Sequence, residues 1–501
     1  MQVTGESTWR WNVGRDATAS VLLYAAMLLP WNLYFGFGIA NSRTRLFAVL
    51  ALATAFALGS IAATYVGPRR ISGPRADPVL VGRLRLALAG PYLLLVCGVV
   101  VFDVIQTIRY GGSPRPPGGV GPGAWLGIAG ALLAAQPVVT DDGIDTTRFG
   151  RWVRSARILG YLAMIGAGFS VLFNLYWRIR YALPGQAGAA GFGGQHVAVI
   201  ATAVVYGAVA WAAVFVASRW ILQHGKPAQI ATITLGGSTL VAGLLVWIVP
   251  VGRVIDGFHG IAQNTSTAGV GFEGYLVWAA TAACFVAPAL HNSPDARSAE
   301  HWLVATRKTL ALIIVWCLGS VLMRVTDLLV AVDLNLPYSP YDSAAMAAFD
   351  LVTAVVAVWL RINLGSRSLP AAAIWSMCAV LLGFTVARVV AGAGLAPRLA
   401  DAPRAAALAH PVYGNGLVQQ ITSTFDVVLC GLALCALMVA IVAGRLPRPA
   451  AAGTARRSGN VDRPSSPRIF RSEDETQRLP VGGPKIYRST DDSENHGRHE
   501  A

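Results

Sequence analysis

The feature that most constrains this chain is a series of apolar blocks, each long enough to cross a lipid bilayer. An apolar run of about 18 or more residues predicts a transmembrane helix. Such a run has to be helical or part of a closed barrel, because lipid offers the backbone no hydrogen-bond partners. Only 13% of the 501 residues are charged, against about 25% in a typical soluble domain. The sequence therefore predicts an all-α, polytopic integral membrane protein with no sizeable soluble domain.

The apolar blocks predict about twelve spans, of which the fourth is the shortest. The predicted spans are 18–40, 46–66, 86–108, 124–139, 158–177, 197–217, 230–250, 274–290, 309–332, 344–360, 371–393 and 417–443. These spans divide the chain into a short N-terminal segment, two halves of a helical bundle and a tail. The corresponding ranges are 1–17, 18–217, 230–443 and 444–501. The tail is rich in Arg, Ser, Asp, Gly and Pro, a composition that predicts disorder.

The distribution of Lys and Arg predicts the orientation of the bundle. The N-terminal segment and every second loop after it carry 18 of these residues, and the alternate loops carry 9. Because basic loops stay on the cytosolic side, both termini are predicted to be cytosolic. The sequon at Asn264 lies in a loop on the opposite side, where glycosylation occurs.

Charge and cysteine content argue against several other classes of protein. The net charge of +15 lies in the tail and in short loops beside apolar blocks, as membrane topology requires, and does not predict nucleic-acid binding. The chain has no HxxxH or CxxC spacing, so neither a metal site nor another cofactor is predicted. The segment 141–145 matches the DDxxD pattern of prenyl-transferring enzymes, but no second acidic motif faces it. We interpret it as a solvated loop.

A repeat in the second half of the chain supplies the candidate site. An Arg recurs near the outer end of each odd-numbered span, at Arg253, Arg324 and Arg388. Two of these lie in matching tetrapeptides, Arg253-Val-Ile-Asp256 and Arg324-Val-Thr-Asp327. The repeated unit is therefore predicted to be a two-helix hairpin whose rising helix carries an outer Arg.

The returning helix of each hairpin begins with Phe and an acid. These dipeptides are Phe272-Glu273, Phe349-Asp350 and Phe425-Asp426, which follow one another at 77 and 76 residues. The hairpins at 253–273 and 324–350 resemble those of fungal seven-span lipid-translocating proteins, in which an acid, an aromatic residue and an Asp follow an outer Arg and acid.

Ionisable groups inside a span need either a partner or a function, because burying one costs at least about 2.5–3.5 kcal/mol on insertion scales. Counted along the helix from the predicted boundaries, Asp350 lies roughly 9 Å and Asp426 roughly 13 Å deep. We predict Asp350, Asp426 and Glu273 as catalytic acids. We predict that Arg253, Arg324, Arg388 and Asp327 bind substrate. The alternative is that each Arg–carboxylate set holds its hairpin together and has no chemical role.

Three functions are compatible with this pattern. The first is a membrane enzyme in which Asp350 or Asp426 protonates a hydrophobic, isoprenoid or lipid-like substrate and starts a cyclisation. In general architecture such an enzyme is similar to the integral-membrane terpene cyclases of fungal biosynthetic pathways. The second is a transporter of a lipid or small organic molecule, and the third is a receptor or membrane scaffold.

Overall fold

The computed structural model describes most of the bundle. The described residues are 5–29, 31, 44–71, 78–109, 120–139, 146–182, 193–223, 225–248, 258–259, 276–291, 299–333, 340–366, 368–395 and 422–445. Within them, the helices are α1 (Gly5–Leu28), α2 (Thr44–Ile71), α3 (Pro78–Arg109), α4 (Pro122–Ala135), α5 (Thr146–Ala182), α6 (Gly194–Leu222), α7 (Lys226–Ile248), α8 (Leu276–His291), α9 (Ala299–Asp333), α10 (Pro340–Asn363), α11 (Ala371–Leu395) and α12 (Thr424–Arg445). Two dipeptides, β1 (Phe258–His259) and β2 (Thr422–Ser423), pair in parallel.

The all-α membrane bundle predicted from the sequence is confirmed. Each described helix overlaps one predicted span, and nine are long and apolar enough to cross a bilayer. The other three are α1, α4 and α8. Helix α1 begins 13 residues before the predicted span and carries several polar residues, while α4 and α8 have 14 and 16 residues.

Consecutive helices pack side by side in the second part of the bundle. The neighbouring pairs are α5 with α6, α7 with α8, α9 with α10 and α11 with α12. The last three of these pairs are the hairpins that the repeat predicts. The first four helices pair differently, because α2 packs on α3 whereas α1 packs on α4.

Two hydrophobic cores hold the bundle together. The larger core contains residues from α5 to α12. Its centre is formed by α7 and α9, the most deeply buried of the long apolar helices. The smaller core joins α1 to α4 around Leu23, Tyr92 and Trp125, and Val427 of α12 packs against it. A smaller cluster, in which Ala129 and Leu132 of α4 pack with Cys284 of α8, joins the two cores.

Helix α4 lies inside the protein and is too short to span the bilayer alone. All but two of its 14 residues are buried, against α1, α2, α3, α7 and α8. At 1.5 Å per residue it is about 21 Å long, whereas the hydrocarbon layer is about 30 Å thick. A helix can end at that depth only where protein groups satisfy its terminal carbonyls.

The contact between α7 and α8 depends on a glycine, and its neighbour provides a matched control. A Cβ on Gly236 would lie 2.6 Å from the Cβ of Ala283 and 3.0 Å from the Cα of Ala280, whereas a Cβ on Gly237 would meet nothing within 4 Å. We expect Gly236→Ala to destabilise the protein by about 1–3 kcal/mol, the usual cost of overpacking. Gly237→Ala should leave stability unchanged or slightly higher. Thermal unfolding in detergent measures both, and equal midpoints for the two variants would contradict the close packing.

Candidate functional site

Three helices bring charged side chains together in the interior of the larger core, and a fourth adds two neutral hydrogen-bonding residues. Arg388 of α11 contacts Asp350 of α10 through its Nε, and its Nη2 lies 2.8 Å from Oδ1 of Asp426 on α12. Ser320 of α9 donates to Oδ2 of Asp350 at 2.6 Å and accepts from Arg388 at 3.1 Å. Trp316, also on α9, donates its indole N–H to Asp426. These five residues, all buried, are called the Arg388 cluster below.

A third ion pair lies further along α9. Nη1 of Arg324 is 3.6 Å from Oδ2 of Asp327, one turn away on the same helix. The hydroxyl of Tyr206, on α6, lies 2.6 Å from both carboxylate oxygens of Asp327. All three side chains are buried.

Arg324 connects this pair to the Arg388 cluster. It lies one turn of α9 beyond Ser320, which hydrogen-bonds both Asp350 and Arg388. The charges therefore alternate along the row Asp327, Arg324, Asp350, Arg388 and Asp426, with an acid at each end. We call this the charged row. Such alternation lets each guanidinium lie near two carboxylates, which is how a group of charges survives in an apolar interior.

Aromatic side chains border the charged row. The rings of Trp316 and Phe425 are 4.5 Å apart and meet edge to face, and those of Phe349 and Phe384 are 6.3 Å apart. Phe349 and Phe425 are the aromatic members of the repeated dipeptides, and Phe425 packs on the indole that donates to Asp426.

The structure brings together five of the seven predicted site residues, and these five are the charged row itself. Their catalytic and substrate-binding roles stay predictions. Arg253 and Glu273, from the first hairpin of the repeat, lie outside the described residues, as do Asn264 and the acidic segment 141–145. Ser320, Trp316 and Tyr206 were not predicted, because a single hydroxyl or indole in an apolar helix has no signature of its own.

A second cluster, around Arg85, was also missed. Arg85 of α3 is fully buried and binds both carboxylate oxygens of Asp16 on α1, at 2.7 and 3.2 Å. Arg15 is 2.9 Å from the same carboxylate, and the hydroxyls of Thr64 and Tyr65 on α2 bind Arg85 and Asp16 respectively. Burial acts to raise the pKa of Asp16, but the hydrogen bond to Arg85 and the charges of both arginines outweigh it and hold that pKa below its usual value.

The Arg85 cluster explains how α4 ends inside the protein. Arg85 Nε donates to the carbonyl of Ala134 at 2.7 Å, and Arg15 donates to that of Pro137 at 2.8 Å. Asn12 exchanges two hydrogen bonds with the backbone of Val139. Cations beside the last carbonyls of a helix also complement its dipole. The N-terminal residues, predicted as a polar segment, therefore form part of the packed bundle.

The two clusters lie towards opposite ends of the helices. Arg85 is near the start of α3 and Ala134 near the end of α4, whereas Arg388 is near the end of α11 and Asp426 near the start of α12. In a bundle whose helices alternate in direction, the odd-numbered starts and even-numbered ends share one side. With the orientation predicted from Lys and Arg, the Arg85 cluster lies towards the cytosol and the charged row towards the outer side.

Comparison with known families places this chain in one of them. A family model described as a domain of unknown function, DUF7937, matches residues 12–445. The chain belongs to this family. The match covers all twelve described helices apart from the first turns of α1, so both charged clusters lie within the DUF7937 domain. No curated protein and no solved structure matches the chain.

Removing Arg388 alone should be more damaging than removing its acids with it. Arg388→Gln leaves two buried carboxylates facing each other, and breaking a buried ion pair in this way costs about 3–5 kcal/mol. We expect the triple variant Arg388→Gln/Asp350→Asn/Asp426→Asn to recover most of that loss, because it leaves no unpaired charge. Thermal unfolding in detergent measures the difference.

Arg361→Gln is the matched control for this experiment. Arg361 is exposed at the end of α10, so its loss should leave the unfolding temperature unchanged. A triple variant as unstable as Arg388→Gln would show that packing around the side chain, and not its charge, determines stability here.

Proposed function

We propose that the chain is a proton-coupled membrane carrier of a lipid or small organic molecule, and that the Arg388 cluster is its coupling site. The observation that supports this proposal is that one buried guanidinium contacts carboxylates from two different helices, α10 and α12. With both acids ionised the three groups carry an excess negative charge, which is costly in an apolar interior.

A proton offsets that charge and gives the cluster two arrangements. When Asp350 holds a proton, Arg388 pairs most strongly with Asp426, and when Asp426 holds it, with Asp350. The proton thereby changes which neighbour α11 is bound to more tightly. A carrier needs a two-state element of this kind, whose equilibrium a bound ion shifts.

The positions of the two clusters support a carrier further. A protein that opens alternately to two sides rearranges helices at both levels of the membrane. The Arg85 cluster holds α1 to α4 together towards one side, and the charged row holds α9 to α12 together towards the other. A single catalytic site would require only one such level.

The second candidate function is an enzyme that protonates an isoprenoid or lipid-like substrate, in the manner of a terpene cyclase. It is favoured by the acid beside an aromatic pair, since Asp426 accepts the indole N–H of Trp316 and Phe425 lies against the same indole. Against it, Arg388 contacts both Asp350 and Asp426 and stabilises their ionised forms. Acid-initiated cyclisation needs an acid that stays protonated, whereas a carrier needs one that gains and loses its proton.

Flux into proteoliposomes tests the carrier. Purified full-length protein is reconstituted with an imposed pH gradient, and ethidium and a fluorescent phosphatidylethanolamine serve as probes for an organic cation and a lipid. We expect gradient-driven movement of at least one probe. Asp350→Asn and Asp426→Asn should each reduce it to the rate of empty vesicles, because neither variant retains both proton-binding acids.

Asp342→Asn is the control, because Asp342 lies two turns before Asp350 on α10 and is partly exposed. It should move the probes at the wild-type rate. Unchanged rates in Asp350→Asn and Asp426→Asn would rule out the coupling role. If neither probe moves, and membranes given polyprenyl and epoxyprenyl compounds form an isomer of unchanged mass that Asp426→Asn does not form, the enzyme replaces the carrier.

A further inference from the structure

We propose that, in the arrangement the structure shows, the proton of the charged row rests at the outer end of the row, shared between Asp327 and Tyr206, from where it can pass to the Arg388 cluster. This inference deepens the proposed function and rests on it for the role of the proton, but the place of the proton follows from the geometry alone. Neither residue belongs to the Arg388 cluster, and Tyr206 comes from a helix outside the predicted hairpins that carry the acids.

The two contacts between Tyr206 and Asp327 need two hydrogens if both are to be hydrogen bonds. The hydroxyl oxygen of Tyr206 lies 2.6 Å from Oδ1 and 2.6 Å from Oδ2 of Asp327, so there are two short oxygen–oxygen contacts. A phenol has one hydrogen and can donate it to only one of these oxygens at a time. A protonated Asp327 would donate its own hydrogen to the phenol oxygen while its carbonyl oxygen accepts the phenol hydrogen, which satisfies both contacts.

The hydrogen-bond donors around the other two acids of the row stabilise the ionised form of each acid. Asp426 accepts from Trp316, whose indole N–H can only donate, and lies 2.8 Å from Arg388. Asp350 accepts from Ser320 and contacts Arg388 directly. Arg388 is thus in direct contact with each of these two carboxylates.

Of the three acids in the row, Asp327 has the longest described contact with an arginine. That contact, from Arg324, is 3.6 Å, beyond the usual 2.7–2.9 Å or so of a charge-assisted hydrogen bond. The described contacts set three carboxyl groups against two guanidinium groups, an excess of negative charge that one proton would offset. Neutralising the acid with the weakest ion pair costs the least attraction.

The surroundings of Asp327 supply no other described partner for this charge. Helix α9 packs against α6, α7, α10 and α12. Tyr206, on α6, contacts Asp327 directly. Among the described contacts, Asp350 and Asp426 are paired with Arg388 and not with Asp327. The charged residue of α7 is Lys226, the first residue of that helix. Proton uptake at Asp327 therefore acts on the rest of the row by removing the charge that is paired with Arg324.

Infrared difference spectroscopy of the full-length protein in lipid tests this assignment. At about pH 6, some two units above the ordinary pKa of Asp, an exposed carboxyl group is ionised and gives no protonated-acid band. We expect a protonated-carboxyl C=O band in the wild type that is missing in Asp327→Asn. Tyr206→Phe, which keeps the ring and removes the hydroxyl, should shift the band to higher frequency, because the carbonyl loses its donor.

The controls separate this inference from the proposed function. Asp342→Asn should leave the band in place. A band that persists in Asp327→Asn but is lost in Asp350→Asn or Asp426→Asn would overturn the assignment, as would a Tyr206→Phe spectrum identical to that of the wild type. If the band belongs to Asp327 but no probe moves across vesicles, the proton site stands and the carrier does not.

Discussion

The cost of burying charge in an apolar bundle determines how this protein is organised. An ion removed from water loses several kcal/mol of hydration, and only close partners of opposite charge and well-placed hydrogen bonds offset that loss. Arg388 and Arg85 are each at most 2% exposed, and each connects at least three helices. The helices that meet at these arginines must therefore keep their relative positions along the membrane normal, because sliding by one turn would leave a buried charge without its partner.

Both clusters combine ion pairs with neutral donors, and the type of donor distinguishes their members. An indole N–H can only donate, and a backbone carbonyl can only accept, so Trp316 and Ala134 each offer their partner one direction of hydrogen bond. A phenol can do both, which makes Tyr206 the partner best able to follow a change of charge. The arginines of the Arg85 cluster donate to the backbone carbonyls at the end of α4, which fixes that helix end. The outermost acid of the charged row instead contacts Tyr206, which can donate or accept as the charge of that acid changes.

Much of the charged row could be predicted, because its members recur along the sequence at the spacing of a helical hairpin. The spacing gave the level of each residue in the membrane, and the structure indeed brings Asp350 and Asp426 to one level. It could not give the direction in which each side chain points around its helix. Arg388 consequently contacts an acid from the preceding hairpin as well as one from its own, a pairing that no linear pattern specifies.

The Arg85 cluster shows why the first part of the chain was harder to interpret. Arg15 and Arg85 lie in polar stretches that resemble cytosolic loops, and both were counted as such in predicting the orientation. Both are buried instead. Without these two, the 18 basic residues on the predicted cytosolic side become 16, against 9 on the other, so the bias keeps its direction. A polar residue at the end of an apolar block is thus ambiguous in sequence, because water and a buried counter-ion satisfy it equally well. Its resolution depends on what a distant helix offers, here the carboxylate of Asp16 and the terminal carbonyls of α4.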